Sequence, residues 1–108
     1  MDPGRYDITI HQRATFTRDI ILPIDLTGHD VFAQIWDEKR RTKIQDFEVE
    51  IIDAAEGQIR IVIDWQNTTP LKKAAFWDLM VVYDNDTRDY WLEGAVTIDP
   101  GLTAPEDA

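Results

Sequence analysis

Paired carboxylates are the side chains of this sequence with the clearest capacity for chemistry, because glycosidases use two of them about 5–10 Å apart. The candidates lie at one hairpin tip, near two strand ends and within the last strand: Asp37, Glu38, Asp64, Asp78 and Glu93. With 21 acidic residues among 108, however, chance proximity of two carboxylates is expected. A chain of this size also lacks the long loops that build a deep cleft. The sequence therefore predicts no catalytic residue and a protein that is not an enzyme.

The remaining side chains predict neither a nucleophile nor a metal centre. The chain contains no cysteine and no serine, and its five glycines are dispersed rather than gathered in a phosphate-binding loop. His11 and His29 would need a third metal ligand such as Asp25 or Asp30, and the spacing does not support one. We interpret both as ordinary surface histidines and predict no metal and no cofactor.

The tripeptide Asp84-Asn85-Asp86 has the clustered oxygens that calcium prefers. The same residues are common in hairpin turns, because their side chains bond to nearby backbone groups. No glycine or glutamate falls where a helix–loop–helix calcium site needs it. A plain turn is favoured, with calcium binding as the alternative.

Apolar and polar residues alternate along most of the chain, and helical periodicity is nearly absent. The alternating segments predict strands at residues 7–10, 14–22, 31–36, 44–52, 58–64, 76–83 and 88–98. This spacing predicts an all-β fold, an immunoglobulin-like antiparallel β-sandwich of about seven strands. We expect one domain at residues 1–100 and a flexible C-terminal tail at 101–108.

Two connections interrupt the alternation. Pro23 has no N–H for a sheet ladder and Gly28 tolerates positive φ, so together they predict a corner. Residues 65–75 predict a crossover loop with one helical turn. The predicted core consists of Ile8, Ile10, Phe16, Leu26, Val31, Ala33, Ile35, Ile59, Ile61, Leu79, Val81, Leu92 and Val96.

The net charge of −10 limits the possible partners. It repels a phosphate backbone, so no nucleic acid is expected, and no apolar run approaches the roughly 20 residues that span a membrane. One basic cluster stands out: Lys39, Arg40, Arg41 and Lys43. It is either a solvated hairpin tip or a contact with an acidic patch on a neighbouring copy.

Four tryptophans are many for this length. Core or protein-interface use is favoured over sugar stacking, and an exposed planar row of tryptophans would reverse that preference. The residues predicted for a protein interface are the basic cluster Lys39, Arg40, Arg41 and Lys43 together with Trp65, Trp77 and Trp91.

Several short motifs follow one another along the chain. They are Tyr6-Asp7-Ile8-Thr9-Ile10-His11-Gln12, Ala14-Thr15-Phe16, Pro23-Ile24-Asp25-Leu26-Thr27-Gly28, Val31-Phe32-Ala33-Gln34-Ile35, Trp77-Asp78-Leu79 and Leu92-Glu93-Gly94-Ala95-Val96-Thr97-Ile98. Over residues 6–100 this order resembles the small β-sandwich virion proteins of tailed bacteriophages and prophages. It also resembles the N-terminal module of phage baseplate upper proteins. One departure is that Leu22 runs directly into Pro23, where those proteins have a longer Asp/Gly-rich hairpin.

The resemblance implies a structural component of a phage virion in the tail, neck, baseplate or capsid surface. The protein would be made in the host cytoplasm and act in the virion, by contacts with other virion proteins and with copies of itself. No membrane and no small-molecule substrate are implied, and the family brings no catalytic residues. The alternative function is a carbohydrate-binding module of a host-recognition apparatus.

Overall fold

The computed structural model describes residues 3–103, which contain β-strands and one short helix. The strands are β1 Gly4–Arg5, β2 Ile8–His11, β3 Phe16–Ile21, β4 Asp30–Trp36, β5 Lys43–Asp46, β6 Glu48–Asp53, β7 Gln58–Ile63, β8 Ala75–Val82 and β9 Arg88–Asp99. The helix α1, Trp65–Thr68, lies in the crossover between β7 and β8, where one helical turn was predicted.

The strands form two sheets packed face to face. The six-stranded sheet has the order β1-β9-β8-β4-β5, with β2 also paired to β9, and the three-stranded sheet has the order β3-β7-β6. The prediction of an all-β sandwich is confirmed. The immunoglobulin-like topology stays a prediction, which these strand orders do not contradict. Of the expected tail, residues 101–103 are exposed and irregular, and 104–108 lie outside the described residues.

The described residues form nine strands where about seven were predicted. The short β1 is one addition, and the predicted strand 44–52 divides at Phe47 into β5 and β6, which belong to different sheets. The ring of Phe47 is buried, with its centroid 5.9 Å from that of Phe16 and 5.6 Å from that of Trp77. The strand divides because Phe47 turns into the core as the chain passes from one sheet to the other.

The N-terminal strands β1 and β2 pair with β9 in parallel, so the sandwich is not wholly antiparallel as predicted. Between them the backbone of Tyr6 passes over Gly94, where a Cβ would overlap the Tyr6 carbonyl oxygen. That oxygen accepts a hydrogen bond of 2.6 Å from Trp77 Nε1. The Asp7 carboxylate accepts one of 2.9 Å from the Ala95 N–H, which lowers the pKa of Asp7. These contacts fasten the start of the chain to its last strand.

The core matches the predicted set at every residue except Leu92, which is only half-buried against it. The structure adds seven residues that the sequence analysis did not include: Ile20, Leu22, Phe47, Ile63, Leu71, Ala75 and Trp77. Ile63 and Trp77 alternate with predicted core residues of their strands, whereas Leu71 and Ala75 lie in the predicted crossover loop. Trp77 is the largest of the seven and contacts both the N-terminal segment and Phe47.

Gly28 adopts a positive φ of 77° in the predicted corner, and Gly57 adopts a positive φ of 71° in the turn before β7. Their surroundings differ. A Cβ on Gly28 would meet no atom within 4 Å, whereas a Cβ on Gly57 would overlap the carbonyl oxygens of Leu22 and Ile24.

Substitutions at Gly28 and Gly57 allow the cost of backbone strain to be measured separately from the cost of steric overlap. We expect Gly28→Ala to cost about 1–2 kcal/mol, the usual penalty of a left-handed alanine. Gly57→Ala carries the same strain and also displaces the corner, so we expect a loss of at least about 3 kcal/mol. Urea unfolding of the two variants measures both values. Equal losses would show that the corner moves freely away from residue 57.

Candidate functional site

Aromatic and acidic side chains share the outer face of the six-stranded sheet, on the side away from the core. They come from the three central strands β4, β8 and β9. We call the following eight residues the aromatic face: Phe32, Gln34, Trp36, Phe76, Asp78, Met80, Tyr90 and Glu93. They line an open groove of about 960 Å³.

The strand register arranges the aromatic face in three rows that run across β4, β8 and β9. The rows are Trp36–Phe76, Gln34–Asp78–Glu93 and Phe32–Met80–Tyr90. Directly opposed residues on neighbouring strands have Cβ atoms about 5 Å apart. A polar row that contains two carboxylates therefore lies between two apolar rows.

Trp77 determines what β8 presents to solvent. Its side chain is only 2% exposed and fills the core beside Tyr6 and Phe47. Because side chains alternate along a strand, its neighbours Phe76 and Asp78 must point outward. Simple alternation along the predicted strand 76–83 also puts Phe76 and Asp78 on the side opposite Trp77, which agrees with the structure.

A β-bulge brings Tyr90 to the aromatic face. The pairing of β8 with β9 shifts so that Leu79 opposes Leu92 while Met80 opposes Tyr90, which leaves Trp91 without a partner. Simple alternation along the predicted strand 88–98 puts Tyr90 on the same side as Leu92, and this prediction is wrong, because an inserted residue reverses the alternation. Tyr90 is instead 49% exposed beside Met80.

Three arginines stand at the rim of the groove. Arg5 pairs with Asp7 at 2.7 Å and Arg88 pairs with Asp86 at 3.2 Å, so the charges of both are locally engaged. Arg40 has a positive φ of 56° and folds back from the hairpin tip. Its guanidinium carbon lies 5.2 Å from the centroid of the Phe76 ring, which is a cation–π contact.

The two carboxylates in the middle row form no ion pair with any residue that the structure describes. Within residues 3–103, no basic nitrogen lies within 4.0 Å of an Asp78 or Glu93 carboxylate oxygen. Partial burial raises the pKa of Asp78, the charge of Arg40 opposes that rise, and the charge of Glu93 adds to it. The middle row is therefore a local concentration of negative charge.

The outer face of the three-stranded sheet is chemically different. Arg60 on β7 bonds Asp19 on β3 at 2.7 Å and lies 3.9 Å from Glu50 on β6. The hydrogen bond from Arg60 lowers the pKa of Asp19. The charges of Arg60, Asp19 and Glu50 are thus paired across all three strands of this sheet, as on an ordinary solvated surface. The outer face of the three-stranded sheet therefore has its charges paired across the strands, beside the exposed Ile21, whereas the aromatic face has two carboxylates that form no ion pair within residues 3–103.

The predicted basic cluster occupies the turn and strand that follow β4. The Asp37 carboxylate accepts hydrogen bonds from the backbone N–H groups of Arg41 and Thr42 at 2.7 and 3.2 Å, which lowers the pKa of Asp37. Lys43 pairs with Asp46 at 2.9 Å. Lys39 and Arg41 are exposed at the tip, while Arg40 alone reaches the aromatic face. An interface role for Lys39, Arg41 and Lys43 stays a prediction.

The tryptophans do not form an exposed row. The interface prediction for Trp77 is wrong, because its side chain is enclosed in the core. Trp91 is half-buried and donates its indole N–H to the Tyr83 hydroxyl at 3.0 Å. Trp65 is 47% exposed on α1, outside the aromatic face, and its interface role stays a prediction.

The sequence analysis did not include Trp36 among its interface residues, although Trp36 lies on the aromatic face. Its indole N–H bonds the Gln34 side-chain oxygen at 3.0 Å. Phe32, on the same strand, is 54% exposed and was also missed. The available signal is that the predicted strand 31–36 has apolar residues on both of its faces, a pattern that is also expected of any central strand.

The other candidates for chemistry are engaged in local contacts. His29 Nδ1 accepts a hydrogen bond from the Asp84 N–H at 3.1 Å, and His11 lies 3.5 Å from Asp99. The Asn85 side-chain oxygen accepts bonds from the N–H and hydroxyl of Thr87, as in a plain turn. Within the described residues no three His, Cys, Asp or Glu side chains group as metal ligands. Of the five carboxylates considered for catalysis, strand pairing places Asp78 and Glu93 opposite each other.

No protein-family model matches the chain, and no curated protein matches its sequence. Between residues 3 and 103 there is no helix long and apolar enough to cross a membrane.

The unpaired Asp78 gives a pH-dependent prediction. Folding raises the pKa of Asp78 above the ordinary 3.8, so the ionised carboxylate opposes folding. The loss of stability grows as the pH rises from the ordinary pKa to the raised pKa of the folded protein. We therefore expect Asp78→Asn to raise the melting temperature modestly at pH 7 and to leave it unchanged near pH 3. Thermal unfolding at the two pH values measures the difference.

Asp19→Asn is the matched control, because Arg60 lowers the pKa of Asp19. Its ionised form supports folding, so neutralising it should lower the melting temperature at pH 7, and this loss should shrink as the pH falls through the lowered pKa of Asp19. A melting temperature of Asp78→Asn below that of the wild type at pH 7 would contradict the interpretation.

Proposed function

We propose that this protein is a structural component of a tailed-bacteriophage virion and binds neighbouring virion proteins through its aromatic face. The observation that carries the proposal is the exposed apolar surface around Phe32 and Tyr90, which are 54% and 49% exposed in the two outer strands of the groove. Contiguous exposed apolar surface on a small domain is typical of a contact site.

The composition of the face favours a protein partner. Phe, Tyr, Trp, Met and Arg are the residue types enriched at protein interfaces, and all five occur on this face or at its rim. A sugar-binding platform needs flat rings open to solvent. Here Arg40 lies over Phe76, and the Trp36 indole N–H is already bonded to Gln34. These contacts favour assembly over carbohydrate binding.

The virion setting is supported by the resemblance over residues 6–100, whose motifs lie at structurally demanding positions. The Pro23–Gly28 motif forms the corner with its left-handed glycine. The Leu92–Ile98 motif contains Gly94, which must lack a side chain where Tyr6 crosses it. These motifs specify the sandwich that presents the aromatic face.

Placing a charge on the face tests the proposal. Phe32→Asp with Tyr90→Asp should lower incorporation into virions by at least about tenfold, because the new carboxylates lose water on contact. The control is Ile21→Asp, since Ile21 is 72% exposed on the opposite surface. Incorporation is measured in particles whose own copy of the gene is deleted, and the melting temperatures show that the variants fold.

Normal incorporation of the double variant would contradict the proposal. So would a gene deletion that leaves particle yield and composition unchanged. Turnover of a substrate by the purified protein would contradict a purely structural role.

A further inference from the structure

We propose that the middle row of the aromatic face binds a lysine or arginine side chain of the partner, so that the docked segment is basic with apolar flanks. This inference rests on the proposed function and specifies the chemistry of the partner. The row consists of Gln34, Asp78 and Glu93, with apolar rows on both sides.

The arrangement of the rows fits a long basic side chain. Two opposed carboxylates without a cation can accept charge-assisted hydrogen bonds from one ammonium or guanidinium group. The methylene stem of that side chain would pack against Met80 and the flanking rings, because lysine and arginine bury their stems against apolar surface. The apolar neighbours of the basic residue would cover the two outer rows.

The protein already places one guanidinium at the end of this surface. Arg40 lies over the Phe76 ring and is close enough to Asp78 to oppose the rise of its pKa. It forms no ion pair with Asp78 or Glu93 within 4.0 Å. The contact of Arg40 with Phe76 therefore shows that a guanidinium group packs on this surface, and it leaves both carboxylates free to bind a cation of the partner.

A second copy of the chain fits the face less well. Stacking two aromatic faces against each other would bring Asp78 and Glu93 near their own equivalents, between molecules that each carry a net charge of −10. The basic tip of a second copy, Asp37 to Lys43, has no apolar side chain to cover the outer rows. The occupant is therefore a basic, apolar segment of a different protein.

Synthetic peptides test this directly. The probes are acetyl-Leu-Arg-Leu-amide, the same peptide with uncharged citrulline in place of arginine, and the same peptide with glutamate. Binding is followed by chemical-shift changes of the backbone amides of Gln34, Asp78 and Glu93. We expect the arginine peptide to bind at these residues and the citrulline peptide to bind about tenfold more weakly. The glutamate peptide should not bind.

The double variant Asp78→Asn with Glu93→Gln should reduce the affinity for the arginine peptide to that for the citrulline peptide. Glu48→Gln with Glu56→Gln removes the same charge from exposed residues elsewhere and should change nothing. Equal binding of the arginine and citrulline peptides, or no shift with any peptide, would overturn the inference. Saturation of the same amides by maltohexaose would overturn it in favour of carbohydrate binding.

Virion incorporation distinguishes failure of this inference from failure of the proposed function. We expect Asp78→Asn with Glu93→Gln to lower incorporation, as Phe32→Asp with Tyr90→Asp does. If the Asp78→Asn, Glu93→Gln variant is incorporated normally while the Phe32→Asp, Tyr90→Asp variant is not, the basic partner is ruled out and the aromatic face remains the proposed contact surface. Normal incorporation of both would overturn the contact face itself.

Discussion

The burial of Trp77 is the interaction on which the rest of the structure depends. Its ring packs edge-on against Tyr6 and Phe47, and its indole N–H bonds the Tyr6 carbonyl oxygen at 2.6 Å. These contacts join the start of the chain, the point where the chain changes sheets and the central strand β8. Because alternation is strict in a strand, the same burial sends Phe76 and Asp78 to the opposite surface. Core packing and the exposed chemistry of the sheet therefore have one cause.

The two outer surfaces of the sandwich differ in how their charged side chains are paired. On the three-stranded sheet, Arg60 offsets the charge of its acidic neighbours Asp19 and Glu50. On the six-stranded sheet, partial burial raises the pKa of Asp78, the charge of Arg40 opposes this and the opposed Glu93 adds to it, while no basic nitrogen within residues 3–103 forms an ion pair with either carboxylate. A fold selected for stability alone would gain by replacing one of them. Retaining both is understandable if a partner supplies the missing positive charge.

Alternation of residue types was sufficient to predict the sandwich, most of the core and the outward direction of Phe76 and Asp78. It was insufficient where the backbone departs from a regular strand. Nothing local in the sequence marks the bulge at Trp91 that reverses Tyr90, because a bulge depends on pairing with β8. The division of a strand at Phe47 likewise depends on the core that receives its ring. The aromatic face was missed because its rows combine residues from three strands whose order is a tertiary property.

Hydroxyl-radical footprinting tests most directly the central claim that the aromatic face is the surface buried on assembly. The labelling of Phe32, Met80 and Tyr90 is compared between the free protein and the assembled virion, with the exposed Trp65 as an internal reference. The account predicts that the three face residues lose most of their labelling in the virion while Trp65 keeps its own. Unchanged labelling of Phe32, Met80 and Tyr90, together with protection of Trp65 or Ile21, would contradict it.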